Sequence, residues 1–102
     1  MQFDVYPTPG RAREVFPFLV DVQSDLADGF STRFVVPLML AGPDVMALQR
    51  ANPLIEFEGR RHLFVANQLA NISAGRLGKP VGNIARWREE MIAAIDFMVT
   101  GI

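Results

Sequence analysis

The sequence predicts a mainly β, β-rich α+β fold closed by one C-terminal helix, with residues 1–102 forming a single domain. Three observations carry that prediction. Short runs of β-branched and aromatic residues, several alternating with period two, recur between Pro, Gly, Asn and Asp breakers through the first three quarters of the chain. From Asn83 onward the apolar residues switch to a spacing of three to four. A length of 102 residues is enough for one hydrophobic core without staples.

Phe3 and Val5 alternate with Gln2, Asp4 and Tyr6, which predicts a first short strand ended by Pro7-Thr8-Pro9-Gly10. A loop follows. Val15 to Gln23 reads as the next strand, with Phe18, Val20 and Val22 on one face and Leu19, Asp21 and Gln23 on the other. Asp28-Gly29 supplies a turn, and Arg33 to Leu38 returns as an antiparallel partner. Pro37 has no N–H to donate, so this strand is expected at a sheet edge or at a bulge. Ala41-Gly42-Pro43-Asp44 breaks the chain, and Val45 to Ala51 is compatible with either a short helix or an irregular excursion. Pro53 to Phe57, the turn Glu58-Gly59 and Arg60 to Asn67 form a second hairpin, and Ile72 to Ala74, with Leu77, adds a further short strand.

Asn83 is suited to cap a helix reaching about Val99, because its side-chain oxygen can accept an orphan N–H. Ile84, Trp87, Met91, Ile95 and Met98, with Ala94 alongside, make the stripe that packs on the sheet. Trp87 is therefore read as structural. Phe97 is expected opposite the stripe, with Ile92 and Val99 on its shoulder. Phe97, Val99 and Ile102 are left for a dimer or target surface, since burying one Phe is worth roughly 1.5–3 kcal/mol.

Composition removes several function classes. There is no cysteine, hence no disulfide, thiolate metal site or cysteine nucleophile. Ten Lys and Arg against eleven Asp and Glu give a net charge of −1, which argues against direct nucleic-acid binding. No stretch has the ~20 apolar residues of a membrane helix, and Met1 to Tyr6 does not read as an export signal, so a cytoplasmic protein is expected. Mean hydropathy is +0.19, high for a small monomer, and an oligomer interface would account for it.

Chemistry-bearing constellations are thin. His62 beside Arg60 and Arg61 could be read as a general base with phosphate-binding neighbours, although a solvated hairpin explains the same residues. The pairs Asp21/Asp25 and Glu89/Glu90 stand without further ligands at metal spacing. Neither a phosphate loop nor a nucleophile elbow occurs. No cofactor, no metal and no catalytic residue is expected.

The string Phe18-Leu19-Val20-Asp21-Val22-Gln23-Ser24-Asp25-Leu26, the start Met1-Gln2-Phe3, the strand Arg33 to Leu38 and the ending Met98 to Ile102 resemble the CcdB family across nearly the whole chain. CcdB proteins are toxins of bacterial toxin–antitoxin modules. The resemblance implies a twisted antiparallel sheet of the SH3-like barrel type shared with MazF, a smaller sheet inserted in it, and a symmetric homodimer. It implies a non-catalytic poison of the DNA gyrase A subunit, neutralised by a cognate antitoxin whose disordered segment folds onto the toxin.

By position, the gyrase contacts would be Leu26, Ala27, Asp96, Thr100, Gly101 and Ile102, with Val99 beside them. Antitoxin contacts would fall at Thr8, Gly10, Arg11 and Arg13. Thr100 departs from the family, which carries tryptophan there to sandwich a gyrase arginine, and Asp96 replaces an asparagine. Two rivals follow: an endoribonuclease of the MazF/Kid type built on His62, and a non-toxic antitoxin-binding relative that lost its gyrase contact at Thr100.

Overall fold

In a computed structural model, residues 1–42 and 50–101 are described. Seven strands and one α-helix occur among them: β1 Asp4–Pro7, β2 Phe18–Asp21, β3 Thr32–Leu40, β4 Leu54–Phe57, β5 Arg60–Phe64, β6 Ala70–Ser73, β7 Gly82–Asn83 and α1 Arg88–Thr100. All pairings are antiparallel, in the order β4-β5-β3-β2-β1-β7, with β6 on β3 as a separate leaf. The curled sheet and final helix are the β-rich α+β fold expected. The reading of residues 45–49, and Ile102, lie outside the described residues.

Pro37 corrects the edge prediction. β3 is central, pairing β2 along one side through Asp21↔Val35 and Phe18↔Leu38. On its other side, Thr32 to Val35 pairs β6, and Leu38 to Leu40 pairs β5. The Pro37 carbonyl accepts from Val65 N at 3.0 Å, so the proline nitrogen faces that same side, where one neighbour gives way to the next. A missing donor costs nothing at that seam.

Other boundaries move for local reasons. β1 starts at Asp4 because Phe3 takes φ +69°, donating to the Asp21 carbonyl and accepting from Ile84 N. Val15 belongs to the loop: Val15 N and Phe16 N both bond Ala12 O, closing a 3-10 turn over Gly10–Glu14 before β2 can start. The Glu58-Gly59 turn is as expected, with positive φ at both residues as a tight hairpin requires.

Asn83 does not cap the α-helix: its Oδ1 accepts from Ala85 N at 2.9 Å just ahead of a 3-10 turn at Ala85–Trp87, and the α-helix starts only at Arg88, flanked by Trp87. Asn83 also lies in β7, a strand that sequence periodicity cannot detect in two residues.

The core joins Val5, Val20, Val36, Leu38, Ile55 and Phe64 of the sheet to Ile84, Met91 and Ala94 of the helical segment. Trp87 packs against it, as read. Met98 does not: it is 45% exposed, because the buried stripe ends a turn earlier than its spacing suggests. Phe97, three residues beyond Ala94, shares that residue's side of the helix and is half-buried, with the Arg50 guanidinium 4.5 Å from its ring centre. It is not the bare opposite-face residue expected.

Candidate interaction surface

Leu26 stands fully exposed on a 3-10 turn, Asp25–Ala27, and the residues around it explain why that turn is ordered. Ser24 Oγ accepts from Leu26 N at 3.1 Å, and Ala27 N donates to Ser24 O. A serine in this place satisfies donors that a short helix leaves open. Asp25 accepts from Gln2 N at 2.9 Å. Gln23 spans the loop: its Nε2 donates to Ala27 O at 2.6 Å and its Oε1 accepts from Phe34 N at 3.0 Å.

Beneath the turn, Arg33 bridges two carboxylates. Its Nε and Nη2 meet Asp21 Oδ2 at 3.0 and 2.7 Å, and its Nη1 meets Asp28 Oδ1 at 2.6 Å. Asp21 and Arg33 are both buried, and Asp21 Oδ1 also accepts from Gln23 N. Burial works against the guanidinium charge, but the bonds and charges of Asp21 and Asp28 outweigh it and hold the Arg33 pKa above its ordinary value. The Asp21/Asp25 pair considered for acid–base or metal chemistry is thus divided: one carboxylate neutralises Arg33, and the other holds Gln2.

At the other candidate group, α1 ends on Gly101 with φ +76° and its N–H on Phe97 O, a left-handed termination natural to glycine. Val99 is 79% exposed and Asp96 is exposed. Thr100 Oγ1 donates to Asp96 O at 2.7 Å, so the hydroxyl turns back along the helix. Gln2 Oε1 accepts from Arg88 Nη1, which joins the 25–27 turn to the start of α1. The exposed tip lies ~18 Å further along the helix axis at 1.5 Å per residue.

Of the antitoxin-contact residues, Gly10, Arg11 and Arg13 are exposed on the Gly10–Glu14 turn, whereas Thr8 is buried beneath it. Arg13 Nε donates to Thr8 O at 2.8 Å, tying that turn to the chain leaving β1.

His62 is buried at 1% exposure, edge-on to Phe18 and Phe57 with ring centres 5.8 and 6.3 Å away. Burial pushes its pKa below the ordinary histidine value. Nδ1 lies 3.1 Å from Arg60 O, and since a carbonyl only accepts, the neutral ring carries its proton on Nδ1. Both readings made of His62 are corrected: it is neither an accessible base nor a solvated hairpin residue but a core histidine. Arg60 and Arg61 remain on the surface without it.

The profile of the CcdB protein family matches residues 2–101. The chain belongs to the CcdB family. A comparison with curated proteins gives no match. CcdB proteins are toxins of toxin–antitoxin modules and act without catalysis, and the described residues contain no helix long and apolar enough to cross a membrane.

Within this CcdB chain, the Arg33 bridge and the Gln23 bonds were not legible as a unit. The available signal was the presence of Asp21, Gln23 and Arg33 in otherwise apolar strands, where polar side chains are kept only when paired.

Proposed function

We propose that this CcdB-family chain is a cytoplasmic toxin, a single-domain protein working as a homodimer that binds the A subunit of DNA gyrase without catalysis and is neutralised by a cognate antitoxin. The observation that carries the reading is Leu26: a fully exposed leucine on an ordered turn, at the position the family uses against gyrase. Val99 and the left-handed Gly101 at the end of α1 supply a second apolar contact, with Leu26, Ala27, Asp96, Val99, Thr100, Gly101 and Ile102 as the gyrase-facing set. Gly10, Arg11 and Arg13, supported by Thr8, are the antitoxin-facing set.

A gyrase supercoiling assay with the purified protein tests this. Inhibition at micromolar protein is expected, and its absence rejects the reading for that gyrase. Thr100→Trp restores the family's aromatic face. With a cation–π contact worth ~0.5–2 kcal/mol, it should tighten binding severalfold, whereas an unchanged Kd counts against the carried-over geometry.

One observation favours a second reading. The Thr100 hydroxyl donates to Asp96 O and offers no π face, which suits a relative that keeps its antitoxin but no longer grips gyrase. Induced expression without growth arrest, together with retained antitoxin binding, would favour it.

A further inference from the structure

We propose that Arg33 is a positioning residue: by bridging buried Asp21 to exposed Asp28 it fixes the 25–27 turn in one conformation and so presents Leu26 ready for its partner. This rests on the gyrase reading only for the identity of that partner. Leu26 is fully exposed, so no packing of its own side chain holds it, and its place is set by the backbone of the turn alone. Turns with little buried apolar contact ordinarily open at low cost, and a loop that must be ordered on binding loses affinity.

The charge count points to a clamp. Asp21 is 1% exposed and already supplies the single negative charge that buried Arg33 needs. Asp28 is 70% exposed and is not required for that balance, yet it lies 2.6 Å from Nη1. Asp21 precedes the turn, Asp28 follows it, and Arg33 stands on β3, so one planar guanidinium joins both ends of the loop to the sheet. The fork geometry suits this, because an ammonium is a point charge that cannot hold two carboxylates in fixed directions.

Two variants separate the clamp from folding. Asp28→Ala removes the outer arm and leaves the buried pair, and Arg33→Lys keeps the charge beside Asp21 but loses the fork. Hydrogen exchange on the full free protein should show faster exchange over residues 24–31 in both variants, with β1, β2 and α1 unchanged. Unchanged exchange in that segment, or a rise spread over the whole molecule, overturns the proposal.

Binding to purified gyrase A subunit should weaken roughly tenfold in Asp28→Ala through lost preorganisation. Leu26→Ala should cost the same affinity in the Asp28→Ala background as in the wild type, because lost preorganisation lowers only the binding-competent fraction. A cost that differs between the two backgrounds means that Asp28 acts in the bound state and also overturns it. Wild-type protein that fails to bind gyrase A removes the gyrase reading, and the exchange result still decides whether Arg33 positions the turn.

Discussion

The 25–27 turn and the end of α1 both hold an aliphatic side chain out to solvent, but different forces keep them there. Leu26 rests on side-chain bonds of high sequence separation: Arg33 to Asp21, Gln23 to Phe34 and Gln2 to Asp25. Val99 rests on the hydrogen bonds of one helix, on the Thr100 bond to Asp96 and on a glycine cap. The first surface depends on buried charge and the second on backbone geometry, so mutation should uncouple them.

The largest effect should follow Asp21→Ala, which leaves the Arg33 guanidinium buried without its main counter-charge. Breaking a buried pair costs ~3–5 kcal/mol. Thermal denaturation should show a Tm lower by more than about 10 °C; a shift of a few degrees would mean that Asp28 and solvent replace Asp21.

Next comes Leu26→Ala, expected to cost up to ~1.5–3 kcal/mol of gyrase affinity if that side chain is fully buried in the complex. Stability should stay within about 0.5 kcal/mol because the side chain touches nothing in the free protein. Isothermal calorimetry beside a melting curve checks both halves.

Smaller again, Gly101→Ala forces a Cβ into the left-handed region at roughly 1 kcal/mol, and a Tm loss of about 4–8 °C is expected. Exchange over residues 24–31 should not change, and faster exchange there would show that the two surfaces are coupled.

The smallest effect concerns His62, which belongs to neither surface. Its folded pKa is depressed by burial, so between the unfolded value of about 6.5 and the folded one the unfolded chain binds more protons. Stability should be full above about pH 6.5 and fall as acidity increases through that window. A urea titration at several pH values should show the slope in the wild type and not in His62→Leu.

Much of the architecture was readable in the amino acids. The alternation through Phe18 to Val22, the Glu58-Gly59 turn and the stripe Ile84, Met91 and Ala94 each state a local preference that the fold keeps. The partners of Asp21 were harder. Arg33 lies across a loop whose form depends on Ser24, Gln23 and Gln2 together, and hairpin patterning says nothing of such side-chain bonds. His62 shows the same limit from the other side: flanking arginines suggest a solvated residue, whereas pairing opposite buried Ile55 puts it inward beside Phe57 and Phe18. The tip differs for a third reason, since a helical stripe gives direction but not how far the body beneath it reaches. Met98 is consequently open to solvent, and Phe97 lies under Arg50.

Pro37 has one more consequence. A slip of β3 by a single residue would swing every side chain to the other face, and it would also turn the ring nitrogen toward β2, leaving a carbonyl there without a donor. Only one alignment of the central strand puts the blank nitrogen at the seam between β6 and β5. The imino acid thus works as a key cut for a single lock, adding a backbone penalty to the side-chain penalty of any misaligned pairing.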